Sequence, residues 1–352
     1  SRHLWYAITF CYTVHTRYYR KFMEISKDPS VIFGHIEDYI SENRFDLYVV
    51  NSYTRPLVKD HQNVFEVEKI GVEMLENFLK TFPRTQVRIL GIGAGTVVDA
   101  VKYICFKTNS TFCFAPSALS TNSFATHRNS FFDPQQGKIS TNSAAVSEIL
   151  VDIDLIEQAY ILNKFGAVEI ASTAVALVDC DIATKQNSET FDNSLKERAM
   201  KVAAGSVEVL SRSLSRESLQ RLLNYLLESG NITRLHGSGR LVSGSEHIIS
   251  SYIESEKACP HGMGLLFGIL IAQQLQIQAG YADAIVDTIV EYLKQDTDMR
   301  KYIQSTATAD ELVRILQRIQ PRSDKFTVLD TIPRNEWLRV GEEVIRGYFQ
   351  KV

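Results

Sequence analysis

The rhythm of apolar residues changes about midway along the chain. Up to residue 116, short runs rich in Val, Ile and Phe alternate with longer stretches whose apolar residues recur three and four apart. These are the signatures of strand and helix in turn. Residues 5–14 and 17–25 are aromatic and β-branched and read as a pair of strands near a sheet edge. The run at 31–34 precedes an amphipathic stretch at 36–43. Residues 46–50, 87–92 and 112–116 read as short buried strands, with helices expected over 67–82 and 96–105. Strands alternating with helices argue for a parallel sheet covered by helices on both faces. From about residue 154 every strong pattern is helical: 156–179, 194–210, 218–228, 244–255, 261–279, 282–294 and 309–317. The economical reading is an α/β domain over residues 1–153 followed by an all-helical domain over 154–352. There is no internal repeat and no low-complexity segment.

Composition narrows the function. A length of 352 residues suits two domains, and 45% apolar with 22% charged residues is the balance of a globular protein in water. A net charge of -3 gives no polyelectrolyte signal, so nucleic acid is not expected as a partner. No apolar run approaches about 18 residues, and the Tyr-rich start is broken by Arg and His. It reads as neither a membrane span nor a signal peptide. The first residue, Ser1, reads as the start of a trimmed chain. Cys11, Cys105, Cys113, Cys180 and Cys259 form no C-x-x-C pair and read as reduced thiols of a cytoplasmic protein, mostly core filler. Cys259, two residues before His261, has the alternative reading of a soft metal ligand. The aromatic cluster near the start reads as edge-strand packing, with a homodimer contact as the alternative.

Two features carry chemistry. Glu169 lies in Lys164-Phe-Gly-Ala-Val-Glu-Ile-Ala-Ser-Thr, His247 closes Ser243-Gly-Ser-Glu-His, and His261 opens a His-Gly-Met-Gly stretch directly after Pro260. A carboxylate and two imidazoles with one open position make the ligand set of a catalytic divalent metal. Pro260 interrupts one helix so that His261 begins another, and two successive helices then present their histidines to one point. Without that context a single histidine is more often an ordinary helix residue. The second feature is the segment Gly91-Ile-Gly-Ala-Gly-Thr-Val-Val-Asp-Ala-Val-Lys102, a glycine turn leading from strand to helix. It suits a pyrophosphate at a helix N-terminus, although it is not G-x-G-x-x-G and a tight turn without a ligand explains it equally. Asp99 and Lys102 share a helical face and either reach a ligand or pair in solvent.

These residues resemble a known family. The glycine segment is similar to the G-G-G-S/T-x-x-D-x-A-K motif of the iron-containing alcohol dehydrogenase and dehydroquinate synthase superfamily. Pro116-Ser-Ala-Leu-Ser-Thr-Asn-Ser resembles its P-T-A-L-S-T-D-G loop. Leu241-Val-Ser-Gly-Ser-Glu-His and the His261-Gly pair resemble its two metal-histidine motifs, most closely those of glycerol-1-phosphate dehydrogenases. Gly137-Lys and Val151-Asp-Ile-Asp-Leu-Ile fit the same branch. The likeness runs from about residue 30 to 280. It implies a Rossmann-like N-terminal domain, a helical C-terminal domain, and a cleft between them holding NAD or NADP and one divalent metal (zinc, iron or nickel). Glu169, His247 and His261 would be the metal ligands. Gly93, Ala94, Gly95 and Thr96 would hold the pyrophosphate. Asp99 and Lys102 would lie toward the nicotinamide, bordered by Ser117, Leu119 and Ser120.

Four departures bear on this. The first metal position is Val168-Glu169, where the glycerol-1-phosphate branch has Gly-Asp; glutamate is the choice of dehydroquinate synthases. The loop aspartate is Asn122, which weakens a proton-relay or substrate role there. The acid that would bind a ribose hydroxyl is Asn51, leaving NAD and NADP both open. Met263 stands where the family has Glu. His127, Arg128 and Lys138 are candidates for an anionic substrate, or parts of a solvated loop. His236 reads as structural.

The expected activity is therefore a metal- and NAD(P)-dependent oxidation of a small polyol or polyol phosphate. The alternatives are a cyclase or lyase like dehydroquinate synthase, using NAD transiently, and a divergent, weakly active binding homologue. No membrane partner is expected.

Overall fold

The computed structural model describes residues 28–133 and 137–350, with the side chains at 132–133, 137–140 and 142 outside that description. The strands expected over 5–14 and 17–25 lie outside the described residues. The first part contains β1 (Ser30–Phe33), α1 (Ile36–Glu42), β2 (Leu47–Val50), β3 (Val64–Glu66), α2 (Val72–Thr81), β4 (Arg88–Gly93), α3 (Gly95–Thr108) and β5 (Thr111–Pro116), an alternation of strand and helix apart from the added strand β3. A hairpin of β6 (Arg128–Asp133) and β7 (Gly137–Asn142) and a last strand, β8 (Glu148–Val151), complete it. Six strands form one sheet in the order β1-β8-β5-β4-β2-β3, parallel throughout. Parallel strands are buried on both faces, which is why β2 and β4 carry unbroken apolar runs instead of alternation.

Everything from Ile153 onward is helical apart from short turns and one isolated bridge. The helices are α4 (Ile153–Glu157), α5 (Tyr160–Asn187), α6 (Asn193–Leu210), α7 (Arg216–His236), α8 (Ser245–Glu256), α9 (His261–Gln278), α10 (Ala284–Gln295), α11 (Thr297–Thr306), α12 (Ala309–Leu316) and α13 (Arg334–Gln350). Their starts are written locally. Asp192, Ser215, Asp283 and Asp296 each accept first-turn N–H groups, and Thr308 with Glu311 makes a capping box. α5 is long and apolar enough to cross a membrane, yet 83% of its most apolar window is buried inside the protein, so it is the central core helix.

The differences from expectation have local causes. The helix expected over 67–82 begins only at Val72, after Gly71, and an unexpected short strand precedes the stretch, where Val64, Phe65 and Glu66 pair with Tyr48, Val49 and Val50. The β6–β7 hairpin escapes a hydropathy reading because its residues are mostly polar. α11 and α13 were not expected, and α4 is separate from α5. Met263, where the family has Glu, is fully buried core.

Glycines set the closest approaches. A Cβ on Gly91 would lie 2.7 Å from Val101 Cγ2, and one on Gly93 would lie 2.4 Å from Val97 Cγ2. Both glycines therefore let α3 lie flat on the sheet. A Cβ on Gly166 would lie 1.5 Å from the Leu119 carbonyl oxygen, so α5 passes directly against the loop after β5. Gly262 makes the same kind of approach to Phe165, and Gly268 to Glu246, drawing α5, α8 and α9 together.

Candidate active site

Three of those close-packed helices supply one residue each to a single point. Glu169 lies one turn beyond Gly166 on α5, His247 lies in the first turn of α8, and His261 opens α9 after Pro260. One ligand atom from each lies within 4.8 Å of the others. Glu169 Oε2 is 3.0 Å from His261 Nε2 and 3.7 Å from His247 Nε2, yet it accepts no aligned hydrogen bond. The other nitrogen of each ring is held. His247 Nδ1 contacts Glu246 Oε1 at 2.7 Å, and His261 Nδ1 contacts Glu254 Oε1 at 2.7 Å. An ionised carboxylate only accepts, so each Nδ1 carries the proton and each Nε2 presents a lone pair inward. Three electron-rich atoms facing each other in a buried spot repel unless a cation sits among them. Carboxylates behind ligand imidazoles are the usual supporting arrangement of a metal site, so the residues present fit a divalent metal. Burial by itself would raise the Glu169 carboxyl. When no metal is bound and the rings take up a second proton, His261 first, then His247 and the Asn122 backbone N–H, outweigh it and hold the carboxyl below its ordinary range.

The triad opens into a cleft of about 520 Å³, an ordinary size for a small-molecule site. Ala94, Gly95 and Thr96, at the start of α3, line the same cleft. No side chain caps that helix, so its first N–H groups are available to a phosphate. A Cβ on Gly95 would meet only Thr121 Cγ2, at 3.4 Å. The cradle thus fits a dinucleotide.

Residues 50–159 match the family model for iron-containing alcohol dehydrogenases. A glycerol-1-phosphate dehydrogenase [NAD(P)+] of Methanococcus maripaludis is 26% identical over 276 residues, 76% of this chain and 78% of that one. One of Thermofilum pendens is 26% identical over 264 residues, 71% of this chain and 72% of that one. Among solved structures, an iron-containing alcohol dehydrogenase superposes with a TM-score of 0.65 at 13% identity, covering 91% of this chain and 98% of that one, a likeness of fold. The chain is thus similar to the iron-containing alcohol dehydrogenases in sequence over residues 50–159 and in fold over most of its length.

The expected site residues are distributed unevenly. Ala94, Gly95, Thr96, Asp99, Ser120, Asn122, Arg128, Glu169, His247 and His261 line one cleft. Asn51, Gly93, Lys102, Ser117, Leu119 and His127 do not, and each has a physical reason. Asn51 folds back on its own turn, its Oδ1 accepting from Thr54 N and Oγ1. Gly93 is packed under Val97. Lys102 is fully buried, donating to the Ser123 and Arg128 carbonyls and to Thr126 Oγ1. Burial pushes its pKa down to about 8. Lys102 is thus a post supporting the loop behind the cleft. The Ser117 N–H donates to the Gly93 carbonyl, and the Leu119 N–H donates to Asn163 Oδ1. His127 is partly buried behind Arg128, and its pKa is pushed down to about 4, first by burial and then by Arg128, Lys102 and Arg234. Lys138 lies on β7, where its side chain is outside the described residues. Cys259 lines the cleft but stands outside the three-ligand group.

Sequence reading passed over Glu246 and Glu254. Glu246 is adjacent to His247, and Glu254 is seven positions from each histidine. That spacing put Glu254 on the His247 face of one helix, but only the packing of α8 on α9 brings it to His261. Arg322 and Lys325 also line the cleft and carried no sequence signal.

Proposed function

We propose that this protein is a metal-dependent, NAD(P)-linked dehydrogenase of a polyol or polyol phosphate, with Glu169, His247 and His261 as the metal ligands. The observation that carries this is the convergence of those side chains, each imidazole backed by its own carboxylate, in the same cleft as the uncapped start of α3. The two relatives named glycerol-1-phosphate dehydrogenase supply the substrate class. A bound divalent metal supplies Lewis acidity, lowering the pKa of a substrate hydroxyl. The chain's own part is placement. Glu246 and Glu254 orient the two rings so that each Nε2 faces the substrate side, and Glu169 contributes the negative charge. The N–H groups at Ala94 to Thr96 hold the cofactor's pyrophosphate, and Ser120 and Asn122 border the space between cofactor and metal. Asn122 is anchored there by its amide nitrogen donating to Ser229 Oγ at 2.9 Å. The hydride chemistry belongs to the cofactor. Residues 1–153 and 154–352 serve as the cofactor-binding and the metal-binding domain. The described cysteines form no disulfide, consistent with a cytoplasmic setting.

The test is to strip the protein with chelator, reload it with zinc, ferrous iron or nickel, and follow NAD(P)H absorbance with glycerol phosphate and with glycerol. Net formation of NAD(P)H that requires metal is the expected result. Substrate consumption with no net NAD(P)H change would replace the dehydrogenase with a cyclase. A protein that takes up none of the three metals would be a binding homologue.

A further inference from the structure

The cleft holds a pair of cations that the triad and the cofactor cradle leave unused. Residues 322–325 form a tight turn closed by an antiparallel bridge between Arg322 and Lys325, with Lys325 N donating to Arg322 O at 3.2 Å. Residues facing each other across such a bridge send their side chains to the same side. Both line the cleft. Arg322 pairs with Asp324 through Nε and Nη2, at 2.9 and 2.8 Å. Lys325 Nζ reaches inward instead and donates to Ser243 O at 2.7 Å and to Ser243 Oγ at 2.9 Å.

That ammonium is poorly placed for stability. Its hydrogen-bond partners are two neutral oxygens of one serine, and no carboxylate lies within ion-pair distance of it among the described residues. It sits against the start of α8, the positive end of a helix. Burial is the main reason its pKa is pushed down to about 8; Glu246 and Asp324 oppose the shift, and Arg240 and Arg322 add to it. Glu246 acts on it only from beyond ion-pair distance: its Oε1 accepts from Gly244 N and meets His247 Nδ1, and its Oε2 has no hydrogen-bond partner. A buried cation with no counter-charge within ion-pair distance costs stability, and an anion entering the cleft would relieve that cost. Its anchor, Ser243, precedes His247 by four residues, and both line the same cleft. A molecule with a hydroxyl at the triad and an anionic group close to it would meet both.

We propose that Lys325, with Arg322 beside it, is the anion clamp of this cleft and takes the phosphate of a phosphorylated polyol. This rests on the dehydrogenase reading and deepens it, by making phosphorylation of the substrate a requirement that this turn enforces. Two measurements on the full chain test it. In the first, inorganic phosphate is titrated calorimetrically into the parent, Lys325→Met, Lys325→Arg and Arg322→Ala. Affinity should fall about 10–100-fold in Lys325→Met, the size of a charged hydrogen bond. It should recover in part in Lys325→Arg and fall less in Arg322→Ala. In the second, kcat/KM is compared for glycerol phosphate and for glycerol in the metal-loaded protein. The preference for the phosphorylated substrate should shrink by the same factor in Lys325→Met, through KM.

Unchanged phosphate binding in Lys325→Met overturns the clamp, as does an equal loss on both substrates. So does a lost preference in Arg128→Ala with none in Lys325→Met. If the parent binds phosphate through Lys325 but oxidises neither substrate with any of the metals, the dehydrogenase reading fails while the clamp stands.

Discussion

Gly166→Ala is the sharpest probe of how this site is assembled. The new methyl carbon would lie 1.5 Å from the Leu119 carbonyl oxygen and 2.7 Å from its carbonyl carbon. Real contacts of this kind do not fall below 3.0 Å, so α5 and the loop must separate by at least 1.5 Å. Both are backbone, and no side-chain rotation relieves the overlap. Separation stretches the 2.8 Å bond from Leu119 N to Asn163 Oδ1 beyond hydrogen-bond range. That leaves a buried donor unsatisfied, at about 1–3 kcal/mol. Overpacking adds about 1–3 kcal/mol. A total of about 2–6 kcal/mol corresponds to a fall in melting temperature of roughly 3–8 °C for a chain of this size. The displaced segment includes Ser120 and Asn122, which line the cleft, and the Asn122 N–H that faces Glu169. Nucleotide affinity should therefore fall as well. The assay is a thermal melt followed by circular dichroism, with a fluorescence titration of NAD(P)H. Gly347→Ala is the paired control. Gly347 lies within α13 with nothing inside 4 Å of its Cβ position, so the change should stabilise by about 0.5–1 kcal/mol. A Gly166→Ala protein that melts within about 2 °C of the parent and keeps its nucleotide affinity would refute the reasoning.

Three further outcomes are expected. Glu254→Ala should weaken metal binding about 10–100-fold, because His261 loses the carboxylate that fixes its ring. Glu254→Gln should lose less, and competition with a chromophoric chelator reads both; wild-type affinity in the alanine variant would remove Glu254 from the site. Stability should also depend on His127. Its pKa is about 4 when folded, below its ordinary 6.5, so the unfolded chain binds the extra proton first. The stability present above pH 6.5 is lost as pH falls toward 4, by about 3 kcal/mol at most. Urea midpoints between pH 7 and 4 should show a shallower fall in His127→Asn, and parallel curves would contradict the account. Finally, Lys102→Met should destabilise by about 2–4 kcal/mol in urea unfolding, because two carbonyls and a hydroxyl lose their buried donor. A change below about 0.5 kcal/mol would show that those oxygens find other partners.

Much of this protein was legible in one dimension. The strand-helix alternation up to Pro116 and the helical spacing beyond residue 154 depend on local periodicity, and the parallel sheet and the helix set follow from it. Glu169, His247 and His261 stood out because a carboxylate and two imidazoles suit a metal, because Pro260 interrupts a helix before His261, and because their segments resemble a known set of metal motifs. The β6–β7 hairpin was hidden because polar strands carry no alternation. The burial of Lys102 was hidden for a related reason: its position on a helix face says nothing of which carbonyls that face meets. Where α5, α8 and α9 touch was decided by tertiary packing alone. Glu254 can be paired with His261, and Lys325 with Ser243, only once those helices are in place. Periodicity reports which face of an element is buried, whereas a site is a set of distances between elements, and those depend on how side chains far apart in the chain fill the space between them.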